Sequence, residues 1–401
     1  MIKLASNKNC TGCGVCAFVC NKSAISLIAN KTGVILPHVD ENLCVECGRC
    51  QNVCPSLNPP VFYRPQKSYA AWNNTTKERI SSASGGIASA GYYLALKEGW
   101  DIAGAVQNKD FSVDVVVSNK IEDIPFFKNS KYVFSSITGL FPRIKQNIND
   151  NRKTLVIALP CQIAAIRKCF PNQGLLVLAD VVCHGCTPFS YLKQHIHSIE
   201  TKTGKSAVLM SFRDPSFNTY TYTFTLYDKQ GSCFYAKRTK DGDTYQYAYH
   251  RMVSYRDNCF HCQYSRPERV GDFTLCDYSG LGAKIPFEYN RINCSCILVN
   301  TAVGKEFLKP LVHDNIITAI ERPLEEAIAG NRQLRKPCAK SKERKNFEKL
   351  IDKYDGDFEK AISEVLEKSR KYKALDSVLS FPMRSCKVAL KYIEKVKKRF
   401  L

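Results

Sequence analysis

The alternation of apolar and polar positions changes character along the chain. From Ser68 onward, short apolar runs alternate with helical stretches: Ser68–Trp72, Ala103–Val106, Val113–Val117, Thr154–Leu159 and Leu175–Val182 read as strands. The runs at 154 and 175 are apolar almost throughout, as strands covered on both faces are. Helices are predicted over Ile87–Lys97, around Leu140–Asn149, and over Gln162–Lys168 and Phe189–Ile199. Strands alternating with helices imply an α/β layer. Residues 207–250 switch to period two, with tyrosine and threonine alternating over Thr219–Phe224 and tyrosines recurring over Tyr245–Tyr249. That pattern predicts antiparallel strands, whose tyrosines cover a sheet face or stack on a flat cofactor. From Ala339 the chain reads as charged helices. The last, Arg384–Leu401, puts Ala389, Tyr392, Ile393, Val396 and Phe400 on one face and lysines on the other, a pattern suited to a partner or a membrane surface.

Before residue 63 neither period holds, and cysteine spacing takes over. Cys10, Cys13, Cys16 and Cys20, then Cys44, Cys47, Cys50 and Cys54-Pro55, repeat one CxxCxxCxxxC template. In that spacing three thiolates grip one 4Fe-4S cluster and the fourth crosses to the other. Cys10, Cys13, Cys16 and Cys54 therefore hold one cluster, and Cys44, Cys47, Cys50 and Cys20 the second. Gly12, Gly14 and Gly48 lie inside the loops, where the backbone can approach and aim N–H groups at sulfur. Zinc prefers two CxxC pairs, and disulfides have no reason to repeat an eight-cysteine code. The first run ends Cys20-Asn21 where proline is usual. This stretch resembles bacterial two-cluster ferredoxins over about the first 60 residues.

Length and charge extend the picture. At 401 residues the chain exceeds one ordinary core, and Pro55, Pro59, Pro60 and Pro65 mark a stiff linker. The expected architecture is α+β/α/β: a small ferredoxin-like domain over 1–62, a larger mixed α/β domain over 66–335 and a basic helical tail over 336–401. Net charge is +21, with +2 in residues 1–62, +9 in 63–334 and +10 in 335–401. Such a field favours an acidic electron carrier, an anionic substrate, a membrane surface or nucleic acid, though a solvated basic helix face carries the same charge. Without a helix-turn-helix or RNA-binding motif, nucleic acid is the weakest of these. Twenty cysteines behind a short polar start, Met1–Asn9, point to a reducing cytoplasm. The longest apolar run, Leu175–Val182, is interrupted by Asp180 and is far short of the roughly 20 residues that span a bilayer.

Further chemistry gathers where strands end. Ser84-Gly85-Gly86 opens a helix, and small residues at a helix N-terminus form an anion site where amides meet phosphate. Leu159-Pro160-Cys161-Gln162 follows one buried strand, and Asp180-Val181-Val182-Cys183-His184-Gly185-Cys186 follows the next. Ligand sites in α/β sheets collect at such ends, and a helix N-terminus biases Cys161 towards thiolate. With Cys259-Phe260-His261-Cys262, these residues predict a third 4Fe-4S cluster on Cys161, Cys183, Cys259 and Cys262, Cys186 being the substitute for Cys183. Cys169, Cys233, Cys276, Cys294, Cys296, Cys338 and Cys386 carry no motif and read as packing or surface thiols.

Taken in order, Ser84-Gly85-Gly86, Ser130-Lys131-Tyr132-Val133, Pro160-Cys161-Gln162, Val182-Cys183-His184-Gly185, Cys259-x-x-Cys262, and Arg269-Val270-Gly271-Asp272-Phe273-Thr274 with Asp277 resemble the family of coenzyme F-420 hydrogenase/dehydrogenase β subunits over about residues 66–335. The resemblance implies a non-covalent FAD, a 4Fe-4S cluster beside it, and two-electron chemistry on a deazaflavin or another conjugated molecule. Ser84, Gly85 and Gly86 then become flavin phosphate contacts, Ser130, Lys131 and Tyr132 lie near the cofactor, and His184 is the proton donor or a hydrogen-bond partner of the cluster. Two departures stand out: Cys186-Thr187-Pro188 displaces the family's proline and adds a thiol, and Cys276 replaces glycine. The expected function is an iron-sulfur flavoprotein oxidoreductase that exchanges electrons with a redox partner protein or ferredoxin and acts on a small-molecule substrate, because flavin converts between one-electron and two-electron chemistry. The rivals are an electron-relaying subunit without its own substrate and a non-catalytic iron-sulfur sensor or nucleic-acid binder.

Overall fold

The computed structural model describes residues 2–171 and 174–369; the expected helix at Arg384–Leu401 and Cys386 lie outside the described residues. The cysteine-rich unit is a hairpin, β1 (Ile25–Ala29) against β2 (Ile35–Val39), with one-turn helices at Val15–Phe18 and Arg49–Asn52. Each short helix starts from a glycine in the left-handed region, Gly14 (φ 78°) and Gly48 (φ 74°), at the same place in the two repeats. Only a residue without Cβ adopts that turn without strain.

The larger body holds β3 (Lys67–Asn73), β4 (Asp101–Gln107), β5 (Val113–Ser118), β6 (Ser135–Ser136), β7 (Thr154–Ala158), β8 (Leu176–Val181), β9 (Leu209–Ser211), β10 (Phe224–Tyr227), β11 (Cys233–Lys237), β12 (Phe273–Asp277), β13 (Ser295–Val299) and β14 (Ile317–Arg322). One sheet runs β14-β3-β13-β12-β8-β7-β4-β5-β6, and β11-β10-β9 form a second, small antiparallel sheet. Strands β4, β7, β8 and β12 are parallel, and β13 runs opposite to β12 and β3. The carboxyl ends of β3, β7, β8 and β12 therefore share one edge with the start of β13.

Alternate residues of the central strands feed two cores. Leu155, Ile157, Val177 and Ala179 pack under the helices Ile87–Lys97 and Ala302–His313. Val156, Ala158, Leu176 and Leu178 pack under Leu140–Asn149 and Pro160–Cys169. Each fully buried aliphatic side chain contributes roughly 1.5–3 kcal/mol. The cysteine-rich unit leans on the second of these layers: Val15 is buried in it, and Phe18 stacks on Phe141 with ring centroids 5.4 Å apart. The linker is stitched down, Tyr63 exchanging both backbone hydrogen bonds with Arg269.

Two expectations fail in residues 207–250. Thr219–Thr221 is a 3-10 turn and only Phe224 of the first tyrosine-threonine run enters a strand. The buried Arg213 guanidinium donates to the Thr219 carbonyl (2.7 Å), and Asn218 and Tyr222 take positive φ, which breaks the ladder. Thr244–His250 is a helix. Asp243 caps it by accepting from the Gln246 N–H, and Tyr245, Tyr247 and Tyr249 are all buried. A helix covered on every side has no polar face to reveal its period.

The charged region after residue 339 is packed as far as residue 369. Ser341 caps the helix Lys342–Lys353, and residues 358–369 are helical. Phe347, Leu350, Phe358, Ile362 and Val365 join Tyr191, Leu192 and Tyr245 in a separate core. His195 crosses it, its Nδ1 2.8 Å from Glu359 Oε1 and its Nε2 3.1 Å from Asp243 Oδ2. No helix among the described residues is long and apolar enough to cross a membrane.

Candidate functional site

The shared strand edge brings the cysteines after β7 and β8 together with the later CxxC. Cys161 sits in the first turn of Pro160–Cys169, Cys183 follows β8, and Cys259 and Cys262 are carried by and just past a 3-10 turn at Asp257–His261. All four line one cavity of about 170 Å³, together with Cys186, His184 and, from the N-terminal unit, Cys13. No group of three or more His, Cys, Asp or Glu among the described residues converges tightly enough for a single metal ion. Zinc bonds of about 2.3 Å would draw sulfurs to within about 3.8 Å of each other. Four thiols round one cavity have the donor chemistry of an iron-sulfur cluster.

A second, smaller cavity is lined by Cys10, Cys13, Cys16 and Cys54 with Gly12 and Gly14. Cys54 belongs to the second run in sequence and stands with the first in space, as the crossing pattern requires. Cys50 has Cys44 and Cys47 as neighbours and packs with Cys16, Cys20 and Ile25. Cys47 is exposed, whereas Cys10 and Cys16 are buried.

Backbone N–H groups already point at these sulfurs. Gly12 donates to Cys10, Val15 to Cys13, Ala17 to Cys16 and Gly185 to Cys183. The Cys186 N–H lies 3.4 Å from Cys259 Sγ. Burial works against ionisation, pushing Cys13 up to about 11 and Cys16 up to about 12, and raising Cys161 well above the ordinary thiol range. The expected thiolate bias of Cys161 at its helix N-terminus is thus overridden by desolvation and by the neighbouring Cys183, Cys262 and Cys259. Thiols this buried become thiolates by exchanging their protons for metal.

None of the residues expected near a flavin lines this cavity. Gly86 (φ 80°) starts the helix Ile87–Lys97, but the Gly85 N–H donates to Ser295 Oγ (2.8 Å) and a Cβ at Gly85 would meet the Ser295 nitrogen at 2.8 Å. Glycine at 85 lets the turn close on the sheet; its amide is already spent. Lys128 Nζ joins this side of the fold to the next segment, 3.0 Å from Glu78 Oε2 and 2.6 Å from Ser81 Oγ. Lys131 Nζ donates to the carbonyls of Phe126 and Lys128, and burial brings its ammonium down to about 7. Tyr132 stacks on Tyr249 at 4.5 Å and faces Tyr222 at 6.3 Å.

Sequence reasoning missed a polar group at the end of β12. Arg213 Nη1 pairs with Asp277 Oδ2 at 2.8 Å, Tyr222 Oη donates to the same oxygen, and the guanidinium lies 4.5 Å over the Tyr222 ring. His250 is half-buried, its Nε2 enclosed and unpartnered, and burial reinforced by His184 and Arg213 pulls it down to about 4. His184 is lowered by burial and partly restored by Asp277. An unsatisfied ring nitrogen, a buried guanidinium and tyrosine faces between the Ser84 turn and Cys183 fit an anionic, aromatic cofactor; the spent Gly85 amide does not contribute. A lone arginine or histidine in a stretch that looks like strand gives no signal of this.

Other motif residues are structural. Asp180, fully buried, accepts from Arg269 Nη2 (2.7 Å) and from the N–H groups of Val270 and Gly271. Asp272 accepts from Arg167 (2.8 Å), the Leu178 N–H and Thr301. These carboxylates clamp β8 to β12 and hold the wall that carries Cys183.

Residues 9–58 match the family model of the 4Fe-4S dicluster domain, which accounts for two 4Fe-4S clusters, and residues 151–323 match the model for the C terminus of the coenzyme F420 hydrogenase/dehydrogenase beta subunit. One subunit of the F(420)H(2) dehydrogenase of Methanosarcina mazei is 22% identical over 321 residues, 74% of this chain and 81% of that protein. Coenzyme F420-dependent sulfite reductase of Methanocaldococcus jannaschii is 28% identical over 163 residues, 40% of this chain and 25% of that protein. A chain of the F420-reducing NiFe hydrogenase complex from Methanosarcina barkeri aligns with 79% of this chain and 95% of its own length, at 18% identity and a TM-score of 0.44. Residues 9–58 are thus similar to 4Fe-4S dicluster domains, and residues 151–323 to the C-terminal domain of coenzyme F420 hydrogenase/dehydrogenase beta subunits.

Proposed function

We propose that the chain is an iron-sulfur flavoprotein oxidoreductase that exchanges electrons between a protein partner and a coenzyme F-420-like or other conjugated organic substrate. In this reading residues 1–62 are the ferredoxin-type unit, 66–335 the flavin and third-cluster domain, and 336–401 a basic helical region. The observation that carries it is the cavity shared by Cys13 of the N-terminal unit with Cys161, Cys183, Cys259 and Cys262. Thiols from both halves of the chain on one wall-to-wall space leave no intervening layer for an electron to cross.

The residues divide the work. Cys161, Cys183, Cys259 and Cys262 would hold a third 4Fe-4S cluster, and Cys186, which hydrogen-bonds Cys183, is the alternative ligand. Ser84, Gly86 and Ser130 to Tyr132 would hold FAD, Gly85 serving the turn. FAD, when bound, supplies the conversion between single electrons and a hydride equivalent. His184, lowered by burial, keeps a neutral imidazole that can hold or pass a proton at the cavity wall. Arg213 and Asp277 orient Tyr222 at the end of β12.

Anaerobically purified protein tests this directly. Denaturation should release FAD, and reduced viologen should drive turnover of a deazaflavin or quinone-like acceptor by the chain alone. A second reading has its own support: a relative covering 74% of this chain is named as a dehydrogenase subunit. Viologen oxidation that requires a partner protein, with no flavin released, would favour that relay.

A further inference from the structure

Arg256 is a buried cation without a carboxylate. It is 3% exposed, and no carboxylate among the described residues pairs with it. Its Nη1 donates to the Thr11 carbonyl (2.7 Å) and its Nη2 to the Ile35 carbonyl (3.2 Å), both in the N-terminal unit. Its Nε is buried without a partner, and its guanidinium lies 4.5 Å over the Phe134 ring. The backbone of the same residue binds the other side: its N–H donates to the Cys186 carbonyl (2.8 Å) and its carbonyl accepts from the Cys259 N–H (3.0 Å). Gly12 makes the seat, since a Cβ there would lie 2.8 Å from Nη2 and the backbone holds φ at +69°.

A buried, unpaired guanidinium is costly unless an anion stands near. Arg256 lines the larger cavity and acts electrostatically on Cys10 of the first thiol set and on Cys259 of the third. A thiolate-ligated cubane is a net anion in both oxidation states, so the missing counter-charge is present on both sides once iron is loaded. We infer that Arg256 is the shared counter-ion of two iron-sulfur centres, seated between the Cys10 corner of one and the Cys259 corner of the other. It is a positioning residue that raises both reduction potentials. An electron passing between the two sets lowers the charge of one by a unit and raises the other by a unit. The inference rests on the reading that both thiol sets hold clusters.

The test is potentiometry of the anaerobic full-length protein followed by electron paramagnetic resonance, with iron and sulfide counted first. Arg256→Gln with full iron should shift two potentials negative by at least a tenfold change in the reduced-to-oxidised ratio, 59 mV for a one-electron couple. The centre nearest exposed Cys47 should not move. Arg256→Lys, which keeps the charge and loses the fork, should stay near wild type. Unmoved potentials in a fully loaded Gln variant would overturn the inference, as would a uniform shift of all three centres. Should the Gln variant fail to load, the Lys variant decides: loaded with both potentials kept supports the role, loaded with both shifted negative refutes it. Wild-type protein holding two clusters rather than three would instead sink the cluster assignment, and the inference with it.

Discussion

The two cysteine runs have the same spacing and the same left-handed glycine, yet they live in different surroundings. A Cβ on Gly14 would strike Thr138 Cγ2 at 2.6 Å and Leu27 at 3.0 Å, whereas on Gly48 it would meet only the Gln51 side chain at 4.0 Å. Cys13 shares a cavity with the thiols of the larger body; Cys47 is exposed, among exposed Leu43, Val45 and Leu57. The local code sets what each loop can hold. The packing around it sets the difference, with one end exposed and the other facing inward.

The largest way to break this contrast is to loosen the wall on which the first run leans. Arg269→Met should leave the Asp180 carboxylate buried and unpaired, at a cost of about 3–5 kcal/mol by denaturant unfolding, and should strip the third thiol set of iron before the second run. Gly14→Ala combines a left-handed strain of about 1–2 kcal/mol with overpacking of about 1–3 kcal/mol against Thr138, so chemical denaturation should register the sum.

Docking of the helix over 358–369 supplies a pH-dependent check on the same body. Burial opposes the charge on His195, but Asp243 and Glu359 outweigh it and raise its pKa to about 9. A pKa raised above the unfolded value near 6.5 gives stability that is complete below that pH and is lost as pH climbs through about 9. The loss should approach about 3 kcal/mol and be absent from His195→Gln, as read by stability curves across pH 6 to about 10. The smallest effect belongs to Gly48→Ala, where only backbone strain of about 1–2 kcal/mol applies. If Gly48→Ala proves as damaging as Gly14→Ala, the contrast between the runs is wrong.

Much of this was legible because it repeats or alternates. The cysteine template announces itself through a fixed repeat, the helix at Ile87–Lys97 through its period, and the strands at 154 and 175 through unbroken apolar runs. Tyr245–Tyr249 did not, because complete burial removed the polar face and left a false period of two. Cys161, Cys183, Cys259 and Cys262 could be grouped from their positions at strand ends and in a CxxC. Arg256 could not: nothing in Arg256-Asp257-Asn258-Cys259 says that its guanidinium reaches the carbonyls of Thr11 and Ile35. Nor did Arg269 and Asp272 reveal that they clamp strands rather than touch a ligand.

The central claim is that thiols from both halves of the chain hold neighbouring clusters, and counting iron tests it most directly. Anaerobic protein should carry about twelve iron atoms per chain, falling to about eight in a folded Cys161→Ala, Cys262→Ala double variant that keeps the dicluster signal. About eight iron atoms in the unaltered chain, unchanged by that double variant, would contradict the account.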